Sequence, residues 1–158
     1  MRRSGFNVRP RPQPDLYLQM LIDCPFYIFN GGRRPILPVR IINPHTGMSL
    51  KAWGLIDTGA DECAIPAGFA ALLGHDLLQG KPKEIGTGNG ITNAYSHTTT
   101  FEICDPRTEA VIYTVENTPI DFMPNLSVLL LGVKNFLSPF VLKIDYPKEV
   151  FSILIGGK

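Results

Sequence analysis

Leu55-Ile56-Asp57-Thr58-Gly59-Ala60-Asp61 sets a carboxylate on a tight, glycine-bearing turn at the end of an apolar run. Trp53, Leu55 and Ile56 read as a buried strand, and Gly59 permits a sharp turn and the close approach of other backbone. An acid placed this way is half desolvated and rigidly aimed, which is how a carboxyl is tuned for acid–base work. Asp57 stands in the sole Asp-Thr-Gly of the chain, and no Asp-Ser-Gly occurs. Chemistry that needs two such acids therefore needs two chains.

Outward from this turn the chain reads as short strands. Pro35-Ile36-Leu37-Pro38-Val39-Arg40-Ile41-Ile42 is a strand, Asn43-Pro44-His45-Thr46-Gly47 its turn, and Leu50 to Asp57 the returning arm. Downstream, Phe69, Leu72 and Leu73 have helical spacing within Pro66 to Leu78, and Gly74 ends the run. Lys83 to Ile85 leads to a glycine-rich tip and a long β-type stretch through Thr98-Thr99-Thr100-Phe101-Glu102-Ile103; Ala110 to Val115 follows as another strand. Val128-Leu129-Leu130-Leu131 reads as a buried strand, Val133 to Leu137 as a short helix stopped by Pro139, and Phe140 to Ile155 as a hairpin turning at Asp145-Tyr146-Pro147-Lys148. The expected class is all-β, mostly antiparallel, with one or two short helices. The compact domain is expected over residues 34–158, behind an extension over residues 1–33. Arg2, Arg3, Arg9 and Arg11 among prolines make residues 1–15 of that extension a flexible arm. Residues 16–30 are apolar and aromatic, so a strand or two from them should pack on the domain.

Composition narrows the function classes. The chain has 158 residues, enough to bury a real core, and a hydrophobic fraction of 44%. Fourteen prolines and fifteen glycines suit a turn-rich β layout. A net charge of +1 argues against nucleic acid as the main ligand. Cys24, Cys63 and Cys104 are odd in number and widely spaced, which suits free thiols in a reducing compartment. No apolar run approaches the ~18 residues of a membrane span, and no signal-type apolar region follows Met1-Arg2-Arg3. A cytoplasmic protein without membrane contact is expected. Cys63, His75, His97 and Cys104 lack zinc-ligand spacing, so no metal or other cofactor is expected, and His97 is expected to face solvent. No Gly-x-Ser-x-Gly nucleophile elbow occurs.

Over residues 35–155 the chain resembles the retroviral-type aspartic proteases, the retropepsins. Four features stand in the family's order: the Asp57-Thr58-Gly59 loop; Lys81-Pro82-Lys83-Glu84-Ile85-Gly86-Thr87-Gly88-Asn89-Gly90-Ile91, similar to its glycine-rich flap; Phe101-Glu102-Ile103-Cys104; and Leu130-Leu131-Gly132 with Asn135-Phe136-Leu137. A phosphate-binding reading of Gly86-Thr87-Gly88-Asn89-Gly90 fails for want of a following helix. The resemblance implies a closed, barrel-like β fold that is half of an acid protease. It implies a homodimer hydrolysing peptides or proteins through Asp57 of each copy, with Thr58 and Gly59 in the catalytic loop. It places Leu55, Ala64, Ile85, Val128 and Leu130 along apolar subsites, and Gly59, Asp61, Gly86 and Gly88 against substrate backbone.

The chain also departs from the family. Val133 stands where the family's Arg pairs with the acid at the position of Asp61, leaving Lys134 as the candidate substitute without the bidentate fork. Gly88-Asn89 replaces a bulky aliphatic at the flap tip, and the closing hairpin is longer than the viral terminal strand. These departures keep open a second class of function, a catalytically weak dimerisation or peptide-binding module.

Overall fold

The computed structural model describes residues 18–156, so the arm expected over residues 1–15 lies outside it. Strand β1 (Leu18–Pro25) is followed by a small hairpin of β2 (Tyr27–Phe29) and β3 (Gly32–Arg34). Next come β4 (Ile36–Ile42) and β5 (Ser49–Ile56), the hairpin expected from the sequence. Beyond the Asp57 turn lie β6 (Ala64–Pro66), a single helical turn α1 (Phe69–Leu72) and a 3-10 turn, Leu77–Gln79. A long hairpin of β7 (Lys81–Thr87) and β8 (Gly90–Cys104) leads to β9 (Val111–Met123) and β10 (Leu129–Leu131). A wide helical turn, Val133–Leu137, then precedes the closing hairpin of β11 (Phe140–Asp145) and β12 (Val150–Gly156).

The strands close on themselves. The main sheet runs β4-β5-β10-β6-β9-β8-β7, and β4 pairs again with β8. Closure removes sheet edges from all but β7, which hangs from β8. Pairing is antiparallel except where β10 meets β5 and β6 meets β9. Alternation sets the inward face: Leu37, Val39 and Ile41 of β4 are buried with Ile65, Phe101, Ile103, Ile120, Phe122 and Leu131.

A second sheet, β1-β12-β11, caps this barrel and shares its core. Ile22, Cys24 and Phe26 are buried with Phe151 and Ile153, and Phe26 N–H donates to Glu149 O at 2.7 Å. β1 and Phe26, both within the expected extension, are thus built into the core, and β1 gives β12 its second neighbour.

Several elements differ from the sequence reading. The helix over residues 66–78 shrinks to one turn: Leu72 is 61% exposed, and Gly74, at φ +74, ends the turn at once. β9 runs on past Val115 to Met123 through a bulge, with Asn117 at φ +48 and its N–H donating to Thr100 Oγ1. His97 does not face solvent. It stacks on His75 at 4.3 Å, packs edge-on to Phe122, and its Nε2 lies 3.1 Å from Leu77 O. The cysteines are free and buried, and burial pushes the Cys24 and Cys63 thiols up to about 12. Among the described residues no helix is long and apolar enough to cross a membrane.

Candidate active site

Asp57 leaves β5 where the strand is wedged between two neighbours. Ile56 N–H donates to Pro35 O and Asp57 N–H to Leu131 O, at 3.0 and 3.2 Å. The turn then folds back on the acid: Gly59 N–H donates to Asp57 Oδ1 at 3.0 Å, and Ala60 N–H to Asp57 O at 3.3 Å. Asp57 is half-buried, whereas Thr58 and Gly59 are exposed. An acid held by its own turn at the rim of a cavity is what the sequence motif calls for.

β10 and the residues after it lock the loop from below. Val133 N–H donates to Ala60 O at 3.0 Å and Lys134 N–H to Asp61 O at 2.7 Å. Asn135 acts as a brace, its Oδ1 accepting from Cys63 N–H at 2.8 Å and its Nδ2 donating to Pro119 O at 2.6 Å. A Cβ on Gly132 would lie 2.4 Å from the carbonyl carbon and oxygen of Glu62, and neither can yield without moving the loop. Gly132→Ala should therefore destabilise the fold by about 1–3 kcal/mol. That lowers the melting temperature by about 2–4 °C per kcal/mol for a chain of this size. A variant melting within a degree of wild type would show that the loop does not rest on Gly132.

Asp57 opens onto a cleft of about 660 Å³ between this loop and the β7–β8 hairpin. Of the residues expected at the site, Asp57, Gly59, Asp61 and Ala64 line it from the loop side. Ile85, Gly86 and Gly88 line it from the hairpin, and Leu130 from β10. Ala64, Ile85 and Leu130 pack with Ala94 and Met123 into a small apolar cluster. Leu55, Thr58 and Val128 are not brought to the cleft of a single chain. Gly86 and Gly88 bare their backbone, since nothing lies within 4 Å of where a Cβ would stand, but only Gly90, at φ +116, needs glycine.

Lys134 does not take the place of the expected arginine. Asp61 is exposed and forms no ion pair among the described residues; Lys134 gives it only a backbone N–H. The sequence reading missed Lys83, Glu62 and Asp121, which line the same cleft. Lys83 Nζ pairs with Glu62 Oε2 and lies 2.8 Å from Asp121 Oδ2. Burial opposes the charge on Lys83, but hydrogen bonds to both carboxylates outweigh it and hold its pKa above the usual lysine value. The hydrogen bond from Lys83 holds Glu62 below the ordinary range, whereas burial pushes Asp121 up. Among the described residues no group of three or more His, Cys, Asp or Glu could hold a metal.

The retropepsin-like aspartic protease of Rickettsia conorii aligns over 84% of this chain and 98% of its own, with a TM-score of 0.57 and 20% identity. The chain has the retropepsin-like fold. EIAV protease, solved with an inhibitor, aligns over 67% of this retropepsin-like chain and 88% of its own, at 22% identity and a TM-score of 0.38. No protein-family model matches the sequence, nor does any curated protein.

Proposed function

We propose that the protein is an aspartic endopeptidase that works as a homodimer, each copy supplying one Asp57. The observation that carries this reading is the braced, half-buried Asp57 at the rim of a cleft overhung by a glycine-tipped hairpin. Two such carboxyls across a two-fold axis cannot both ionise cheaply, so they share a proton, and their pKa values belong to the pair. The ionised member takes a proton from a water whose oxygen adds to the scissile carbonyl carbon. The protonated member donates to the carbonyl oxygen.

The remaining site residues take roles consistent with their places. Thr58 is exposed on the same turn and is assigned a bond across the dimer. Gly59, Asp61, Gly86 and Gly88 would hold substrate backbone, and Ala64, Ile85 and Leu130 its apolar side chains. Leu55 and Val128 join these subsites only if the second copy extends the cleft toward them. The outer face of the β1-β12-β11 sheet supports the dimer, since Met20, Leu154 and Val141 are cross-strand neighbours there. Leu18, Met20 and Val141 are exposed at 45, 50 and 39%, an apolar surface that a second copy would cover. Three buried free thiols support a cytoplasmic setting.

The test is hydrolysis of an unstructured peptide library against pH and protein concentration. The rate should be bell-shaped in pH with its optimum on the acid side of neutrality, and indifferent to chelators. Specific activity should fall on dilution below the dimer dissociation constant. Full activity from a sedimenting monomer, or activity lost to chelator and restored by zinc, would replace this mechanism. Asp61, which has no ion pair among the described residues, favours a second reading, a catalytically weak dimerisation or peptide-binding module. Peptide binding without cleavage across the whole pH range would establish it.

A further inference from the structure

The β7–β8 hairpin is held to the barrel on one side only. Among the described residues β7 ends its sheet and pairs with β8 alone. Among the described residues, Lys83 makes every side-chain hydrogen bond or ion pair that joins β7 to anything beyond the hairpin. Its ammonium bridges Asp121 on β9 and Glu62 in the Asp57 loop, so a single side chain ties the hairpin arm to both walls of the cleft. Ile85 follows two residues later on the same face and packs on Ala64, Ala94 and Met123. Beyond it the tip bonds only to itself, through Thr87 Oγ1 to Gly90 O and Asn89 N–H to Thr87 Oγ1.

We propose that Lys83, clamped between Asp121 and Glu62, is a positioning residue that sets the hairpin over Asp57. The Asp121 side chain is 5% exposed, and Lys83 is its ion-pair partner. Raising the arm would strand a buried carboxylate, which is far costlier than opening a surface pair. Asp121 escapes that cost by binding a proton. The charged or titratable groups facing it are Lys83 from β7, Glu62 from the loop, and the neutral Cys63 thiol beside Glu62. Burial already pushes Asp121 up while Lys83 pulls it down, so losing Lys83 raises it further. The raised arm therefore binds more protons than the lowered one, and acidification favours it. The kinetic consequence rests on the endopeptidase reading; the anchoring does not.

The experiment compares the full chain with Lys83→Met and with Lys83→Met/Asp121→Leu by amide hydrogen exchange, alongside KM and kcat on a cleaved peptide. Lys83→Met alone strands Asp121 and loses stability, whereas the double variant removes both charges and melts near wild type. In both, β7 amides should exchange about tenfold faster at neutral pH while β4 and β5 stay protected. After correction for intrinsic rates, acidification should speed β7 exchange in wild type and leave the double variant unmoved. KM should rise about tenfold in the double variant with kcat changed less. Faster β7 exchange in both variants, beside a wild type that cleaves nothing, would uphold the anchor and defeat the protease reading. Wild-type β7 exchange and KM in a folded double variant would overturn the anchor.

Discussion

Asp57→Asn is expected to abolish peptide hydrolysis and to leave the fold as it is. The amide keeps the shape of the carboxylate, and its oxygen still accepts the Gly59 N–H that meets Asp57 Oδ1 at 3.0 Å. Asparagine cannot take a proton from water or share one across the two-fold axis. The expected loss is on the order of 10⁴-fold in rate, at a melting temperature close to wild type. Mixing wild type with excess variant should also suppress activity, because mixed pairs hold one competent acid each. Retained catalysis within severalfold of wild type would end the aspartic reading, and unsuppressed activity in the mixture would end the shared site.

Ending the chain at Ser138 is expected to give insoluble or unfolded protein. The cut removes β11 and β12, and with them Phe151 and Ile153, which are 1% and 0% exposed. It also takes the only strand partner of β1 among the described residues, so Ile22, Cys24 and Phe26 lose their cover. Each large buried side chain is worth about 1.5–3 kcal/mol of burial. Their sum is as large as the whole stability of a domain, about 5–15 kcal/mol. Circular dichroism and sedimentation of the truncated chain provide the check. A folded, dimeric product would place both the core and the proposed interface elsewhere. Phe151→Ala, expected to cost about 3–5 kcal/mol, reads the same contacts without a truncation.

What could be read in the sequence was local. The Asp57 turn, the glycine-tipped hairpin, Leu131-Gly132 and the closing hairpin each carry their own punctuation, and each forms where expected. The Lys83–Glu62–Asp121 cluster escaped notice because its members come from three elements that meet only in the folded barrel. Asp121 was hidden further by the bulge at Asn117, since Glu116-Asn117-Thr118-Pro119 breaks the alternation that signals a strand. Phe69, Leu72 and Leu73 fit a helix by spacing, yet Leu72 points outward, and spacing alone does not say which face the barrel covers. Lys134 follows the family's position in sequence, but only its backbone reaches Asp61.

The pairing of β1 with β12 has a consequence in time. Ser152 Oγ donates to Asp23 Oδ1 at 2.9 Å across 129 residues of chain, among the longest loops this fold must close. Contacts so remote in sequence are slow to form, because loop-closure entropy is lost before any burial repays it. A nascent chain cannot cap its barrel with the β1-β12-β11 sheet until β12 has left the ribosome. Until then Ile22, Cys24 and Phe26 wait uncovered, and the proposed protease has no finished face to offer a second copy. Synthesis itself would thus delay the onset of proteolysis until β12 is made.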